Sequence, residues 1–193
     1  EGNNGTLGNG GAGTAPTWNA SGGKFAGGFD FGGEEDFIEI DNDFLDTSDA
    51  FTISAWIYPE GWGEGGYGSI FGKAGSGQYD FLFYLRESTE KLSVYDRTEG
   101  VSSWAHSHDN SITLNAWQHV VVTHDGSDGI KFYINGAENT SDGSATLTNP
   151  TGKSFVGAEN DTSYWGFNGS IDELAVWSRT LSDDEIRDIY LMN

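Results

Sequence analysis

The chain contains no cysteine, which excludes both a disulfide framework and a thiolate metal centre. Bases are almost as scarce. Nine Lys and Arg stand against 30 Asp and Glu, giving a formal net charge of −21. Such a surface repels nucleic-acid phosphates and anionic membranes, so neither is an expected partner. The excess favours solubility and offers carboxylates to divalent cations, Ca2+ first among them. No apolar run approaches the length of a membrane span, and the chain opens at Glu1 without a charged start or an apolar signal core. A G-x-S-x-G elbow, a Walker loop and a dinucleotide fingerprint are also missing, so nucleotide chemistry is not expected.

What remains is a strand pattern. The length of 193 residues suits one domain, 1–193, with a sizeable core. The first 23 residues, EGNNGTLGNGGAGTAPTWNASGG, are too poor in bulky side chains to fold alone and are expected to lie along the rest. From Lys24 onward, short alternating segments are separated by Gly, Asn, Asp and Ser clusters, the spacing of an all-β, two-sheet antiparallel β-sandwich. One short C-terminal helix is expected in TLSDDEIRDIY, where Ser182 and Glu185 form a capping box ahead of Ile186, Ile189 and Tyr190.

Registers follow from the turns. A two-residue turn at Ser88 and Thr89 pairs Leu85 with Leu92, Tyr84 with Ser93, Phe83 with Val94 and Leu82 with Tyr95. A turn at Glu99 and Gly100 then places Tyr95 opposite Trp104 and Ser93 opposite His106. One face of these strands carries Phe81, Phe83, Leu85, Leu92 and Val94. The other carries Leu82, Tyr84, Arg86, Tyr95, Arg97, Trp104, His106 and His108, an aromatic and basic set where a solvated sheet face would be small and acidic. FTISAWIY reads as a strand with Phe51, Ile53, Ala55 and Ile57 inward, and IKFYINGAENT as a hairpin turning at Asn135 and Gly136.

Four stretches together resemble a laminin-G-like, concanavalin A-like jelly-roll domain: GKFAGGFDFGGEEDFIEI, FTISAWIYP, AWQHVVVTHDG with IKFYINGAE, and FNGSIDELAVWSRTLSDDEIRDIY. The resemblance implies two curved antiparallel sheets, a structural calcium ion, and recognition of glycans or proteins without catalysis. It further implies a calcium site joining Asp172 to the Asn/Gly loop near the start, with Asn3, Asn4 and Thr6 as its other ligands. It places a hairpin at GGEEDFIEI. It also implies one more strand ahead of GNNGTL. The 193 residues contain none, so the closing strand from Ile171 to Trp177 is expected to present an open edge, a template for strand addition between copies.

Within EEDFIE, the carboxylates Glu34, Asp36 and Glu39 nearly match the E-x-D-x-x-E arrangement of retaining jelly-roll glucanases. Gly32 and Gly33 mark a turn there, and Glu35 stands where those enzymes have an aliphatic residue. Retention needs two carboxyls about 5 to 5.5 Å apart, one with a raised pKa, which a solvated turn does not supply. The chain is therefore read as no enzyme. His106 and His108 form an H-x-H pair able to hold zinc or copper only with a third ligand. The expected function is a secreted or cell-surface carbohydrate-binding or adhesion module, with a glycan or glycoprotein bound by Tyr84, Arg86, Tyr95, Arg97, Trp104, His106 and Trp165. Trp62, Tyr67 and Tyr164 are candidates for the rim. The alternative is a structural subunit of an extracellular filament or surface assembly completed by strand exchange.

Overall fold

Alternation of bulky apolar with polar residues gives a strand one face for a core and one for its surroundings, and two such sheets bury their apolar faces against each other. The computed structural model describes residues 5–8, 15–33, 36–40, 45–75, 78–98, 101–150, 152–161 and 165–192. Its strands in chain order are β1 (Gly5–Leu7), β2 (Thr17–Asn19), β3 (Gly28–Gly32), β4 (Ile38–Ile40), β5 (Ala50–Pro59), β6 (Tyr67–Gly75), β7 (Gln78–Arg86) and β8 (Lys91–Thr98). They continue as β9 (Val101–Ser107), β10 (Gln118–Asp125), β11 (Ile130–Ile134), β12 (Ala137–Glu138), β13 (Thr140–Asp142), β14 (Lys153–Val156) and β15 (Asn168–Trp177), and helix α1 (Asp183–Met192) follows.

Among the described residues, an eight-stranded sheet runs β1-β4-β14-β6-β7-β8-β9-β13 and a seven-stranded sheet runs β12-β11-β10-β5-β15-β3-β2. Every pairing in both is antiparallel. Phe51, Ile53, Ala55 and Ile57 of β5 meet Phe81, Phe83 and Leu85 of β7 and Leu92 and Val94 of β8 in one core cluster, all fully buried. These are the inward residues that the alternation assigns.

The expected registers hold. Leu85 pairs with Leu92, Phe83 with Val94 and Leu82 with Tyr95; Tyr95 pairs with Trp104 and Ser93 with His106. The β7–β8 turn is longer than two residues. Arg86 and Lys91 are the last pair, Glu87–Thr89 form a single 3-10 turn, and Glu90 closes it in the left-handed region at φ 50°. The β11–β12 hairpin turns at Asn135 (φ 51°) and Gly136 (φ 78°), the two consecutive positive φ values of a type I′ turn. A side chain at Gly136 would also strike the Tyr190 ring.

GGEEDFIEI differs from expectation. β3 belongs to the seven-stranded sheet and β4 to the eight-stranded one, so the segment is a corner between sheets and not a hairpin. Gly33, at φ 86°, makes that corner. The N-terminal segment contributes an edge strand to each sheet, β1 beside β4 and β2 beside β3. β15 pairs with β5 as far as Trp177 but with β3 only from Asn168 to Ile171. From Glu173 onward that side of β15 has no strand beside it among the described residues.

Helix α1 covers part of the outer face of the seven-stranded sheet. Its capping box forms as expected: the Glu185 N–H donates to Ser182 Oγ at 3.3 Å, and the Ser182 N–H donates to Glu185 Oε2 at 2.9 Å. Ile186 packs with Val121, Tyr133 and Leu181, while Tyr190 stacks on Trp56 at 5.7 Å. β5 and β10 are thereby buried on both faces, and His119 Nε2 shares a hydrogen bond with Ser54 Oγ across 2.8 Å. Burial lowers the His119 pKa to about 4, which keeps its ring neutral.

Candidate functional site

The outer face of the eight-stranded sheet carries a cleft of about 570 Å³, lined by Tyr67, Tyr84, Arg86, Tyr95, Trp104, His106, Asp142 and Trp165. The register builds it. Tyr84, Ser93, His106 and Asp142 form one row across β7, β8, β9 and β13; Leu82, Tyr95 and Trp104 form the next. Because directly paired residues share a face, one alternation in three adjacent strands delivers the aromatic and basic side chains together.

Two aromatic groups wall the cleft. Tyr67 and Trp165 stack at 4.6 Å with Tyr84 5.9 Å from each, and Tyr95 lies 5.4 Å from Trp104. Trp104 is 46 % exposed, an uncommon state for so large an apolar ring. Trp165 adopts φ 59°, a left-handed conformation costly for a bulky residue. Its backbone is held there from both sides: Trp165 N–H donates to Glu64 Oε2 at 3.1 Å, and Ser69 N–H donates to the Trp165 carbonyl at 2.8 Å.

Two of the polar groups, Tyr84 and His106, are biased toward their neutral forms. Burial pushes the Tyr84 phenol up to about 12, so it keeps its proton as a donor. His106 is lowered by burial first and then by Lys91 and Arg86, and its Nδ1 engages Ser93 Oγ at 3.0 Å. Arg86 Nε has no hydrogen-bond partner among the described residues, so the protein leaves part of this guanidinium's donor capacity unmatched.

Six of the seven expected ligand-binding residues, Tyr84, Arg86, Tyr95, Trp104, His106 and Trp165, line this one cleft. Arg97 does not. It shares the face, opposite Ser102, but lies beyond the Tyr95–Trp104 pair. Leu82 also shares the face yet is fully buried, because the backbone of Ala158 and Glu159 crosses over Gly72 beside it. Tyr67 lines the cleft, whereas Trp62 packs on the core and Tyr164 lies outside the described residues. Asp142 was not foreseen. It enters through β13, a three-residue strand whose TSD sequence reads as loop, and only its pairing with His106 discloses it.

The acids of EEDFIE are placed elsewhere. Glu34 lies outside the described residues. Asp36 Oδ2 accepts the Gly32 N–H at 2.6 Å and pins the corner, with its pKa raised by burial. Glu39 pairs with Lys153 at 2.8 Å on β4. Neither lines the cleft. His108 is exposed past the end of β9, and no cluster of three or more His, Asp or Glu able to hold a metal occurs among the described residues.

Of the expected calcium ligands, Asp172 and Thr6 do not fit one site. Asn3 and Asn4 lie outside the described residues. Asp172 follows the core residue Ile171 on β15, so it leaves the outer face of the seven-stranded sheet; there Oδ2 accepts the Phe25 N–H at 3.0 Å and Oδ1 the Glu173 N–H at 2.9 Å. Thr6 pairs with Glu39, which alternates with core-facing Ile38 and Ile40, so it leaves the outer face of the opposite sheet. Ligands pointing away from opposite faces cannot share an ion with bonds of about 2.3 to 2.6 Å.

One buried carboxyl stands beside the cleft wall. Glu159 is 1 % exposed; its Oε1 accepts Asn160 Nδ2 at 3.2 Å, and its Oε2 has no partner among the described residues. Burial, and then repulsion by Glu64, push its pKa from 4.5 up to about 8.

Residues 31–187 match a laminin G family model described as the concanavalin A-like lectin/glucanases superfamily. The chain belongs to this superfamily. Human adhesion G-protein coupled receptor D1 is 37% identical over 90 residues, which is 40% of this chain and 10% of the receptor. The chain thus aligns with about a tenth of that relative's length. Among solved structures, domain 4 of AbnA, a GH43 extracellular arabinanase from Geobacillus stearothermophilus, in complex with arabinotriose, superposes with TM-score 0.74 at 18% identity, covering 96% of this chain and 87% of that one. The botulinum neurotoxin serotype D ligand binding domain in complex with N-acetylneuraminic acid gives TM-score 0.64 at 14% identity, over 93% of this chain and 47% of that one. Both share this domain's jelly-roll sandwich.

Two outcomes are expected from these placements. Between pH 4.5 and 8 the unfolded chain releases the Glu159 proton while the folded domain retains it. Stability therefore falls as pH rises through that window, by up to ~1.4 kcal/mol per pH unit, and Glu159→Gln flattens the decline in urea titrations. Asp172→Ala frees the segment at Phe25 and costs about 1 to 3 kcal/mol, and the loss is the same in calcium and in chelator. A loss seen only in calcium would restore the ion to Asp172.

Proposed function

We propose that this domain is a non-catalytic carbohydrate-binding module of the adhesion type, working outside the cell or at its surface, with its ligand in the cleft between Trp165 and Trp104. The observation that carries the reading is one cleft walled by the Tyr95–Trp104 pair, with Trp104 exposed, and by the stacked Tyr67–Trp165 pair, with Arg86 and His106 in its lining. Sugar rings pack their C–H faces on aromatic rings, while guanidinium, imidazole and phenol groups read the hydroxyls. Relatives support the reading: the arabinanase domain was solved with arabinotriose, the toxin domain with N-acetylneuraminic acid, and the receptor is an adhesion receptor. The placement of Asp36 and Glu39 away from the cleft supports binding without hydrolysis. No described helix is long and apolar enough to cross a membrane.

A second reading, a subunit that assembles by strand addition, is favoured by β15 alone, whose Glu173–Trp177 side lacks a neighbouring strand among the described residues. Sedimentation at several concentrations tests it. Concentration-dependent growth supports assembly, and a monomer throughout removes it.

For the principal reading, Trp104→Ala weakens binding on a glycan array by about 1 to 3 kcal/mol with an unchanged melt, because the ring is exposed rather than core. The glycan is recovered uncleaved. Release of reducing sugar, or binding indifferent to Trp104 and Trp165, would remove this assignment.

A further inference from the structure

The opposite face of the sandwich holds a second cleft, of about 330 Å³, on the outer side of the seven-stranded sheet. Register assembles it too. Asp30, Ser170 and Tyr58 pair in one row across β3, β15 and β5, and Trp117, just before β10, brings its ring to 5.7 Å from Tyr58. Asn19 and Glu60 complete the polar lining. The chemistry differs from that of the first cleft. Two carboxylates and the rings of Tyr58 and Trp117 line it, and among the described residues no cationic side chain does.

We propose that this cleft binds an organic ammonium group, independently of the glycan cleft. Aromatic faces carry negative potential and attract an ammonium lying over them, most strongly for Trp. Asp30 supplies a carboxylate that is already fixed in position. Its Oδ1 accepts Ser170 Oγ at 2.6 Å and its Oδ2 accepts Asn19 Nδ2 at 3.0 Å, so it stays in place before any ligand arrives. Glu60, which also lines the cleft, is exposed and forms no ion pair among the described residues. The same face already holds one ammonium, its own. Lys24 Nζ sits 4.3 Å from the Trp56 ring centroid, and Trp56 is two residues from Tyr58 on the same side of β5. The Tyr58–Trp117 cleft offers a second aromatic pair on that face, with carboxylates beside it. A net charge of −21 adds a long-range attraction for any cation.

Choline and its uncharged carbon isostere, dimethylbutanol, separate charge from shape. Titrated into the whole chain and followed by the indole N–H signals in NMR, choline should bind about tenfold more tightly than the isostere and weaken as salt is added. Glu60→Gln should lower choline affinity about threefold to tenfold, and Trp117→Ala should abolish it, while Trp104→Ala leaves it unchanged. Glucosamine against N-acetylglucosamine, and lysine amide against acetyl-lysine amide, then identify whether a sugar or a peptide carries the ammonium. Equal binding of choline and its isostere overturns the proposal. So does indifference to Glu60→Gln, which keeps the test decisive if Trp117→Ala does not fold. Loss of choline binding in Trp104→Ala alone would place the cation in the other cleft. Glycan binding is tested separately, by Trp104→Ala on the array, so failure of either reading is distinguishable from failure of the other.

Discussion

The register of β7, β8 and β9 is the constraint on which both core and cleft depend. Because strand side chains alternate with period two, sliding β8 by one residue against β7 would point Val94 and Leu92 outward and Tyr95 into the sandwich. The core would lose its centre and the cleft its platform in the same movement. No separate device is needed to present the aromatic face, since the apolar set that must be buried fixes the other set by exclusion. Phe81, Phe83 and Leu85 therefore contribute to ligand geometry without approaching a ligand.

The two sheets use their outer faces differently. On the seven-stranded sheet, helix α1, the stretch from Arg179 to Leu181 ahead of it and the segment around Phe25 cover Trp56, His119 and Thr52, burying β5 and β10 on both sides. The end near Tyr58 and Trp117 is left as a recess. The eight-stranded sheet has no described helix upon it, and its cover at Leu82 is a loop backbone. One sheet is thus framework with a small opening, and the other is covered at Leu82 and Phe155 and opens between Trp165 and Trp104.

Sequence disclosed whatever depends on periodicity and turns. The β7–β8–β9 registers, the inward face of β5, the Asn135–Gly136 turn and the capping box of α1 are all local patterns that tertiary context reinforces. It did not disclose what depends on which sheet a strand joins. GGEEDFIEI looks the same as a hairpin or a corner, because Gly33 serves either. Leu82 reads as part of an open face because the covering loop, at Ala158 and Glu159, is remote in sequence. Asp142 escaped for the opposite reason, as a strand too short and polar to announce itself. Thr6 and Asp172 were joined by resemblance alone, and topology puts them on opposite sides.

β1 shows how little a strand needs in order to be placed, and how loosely it is then held. Its three residues are all exposed, and its place beside β4 rests on backbone pairing with Ile38, Glu39 and Ile40. Backbone bonds at a wet edge exchange readily for bonds to water, so the free energy of lifting β1 is nearly independent of the free energy of unfolding the core. Its amides are expected to exchange fast, and those of β5 and β10 only by global opening. The eight-stranded sheet thus has its thinly held margin at β1, with β4 and β14 between it and β6, where Tyr67 enters the cleft.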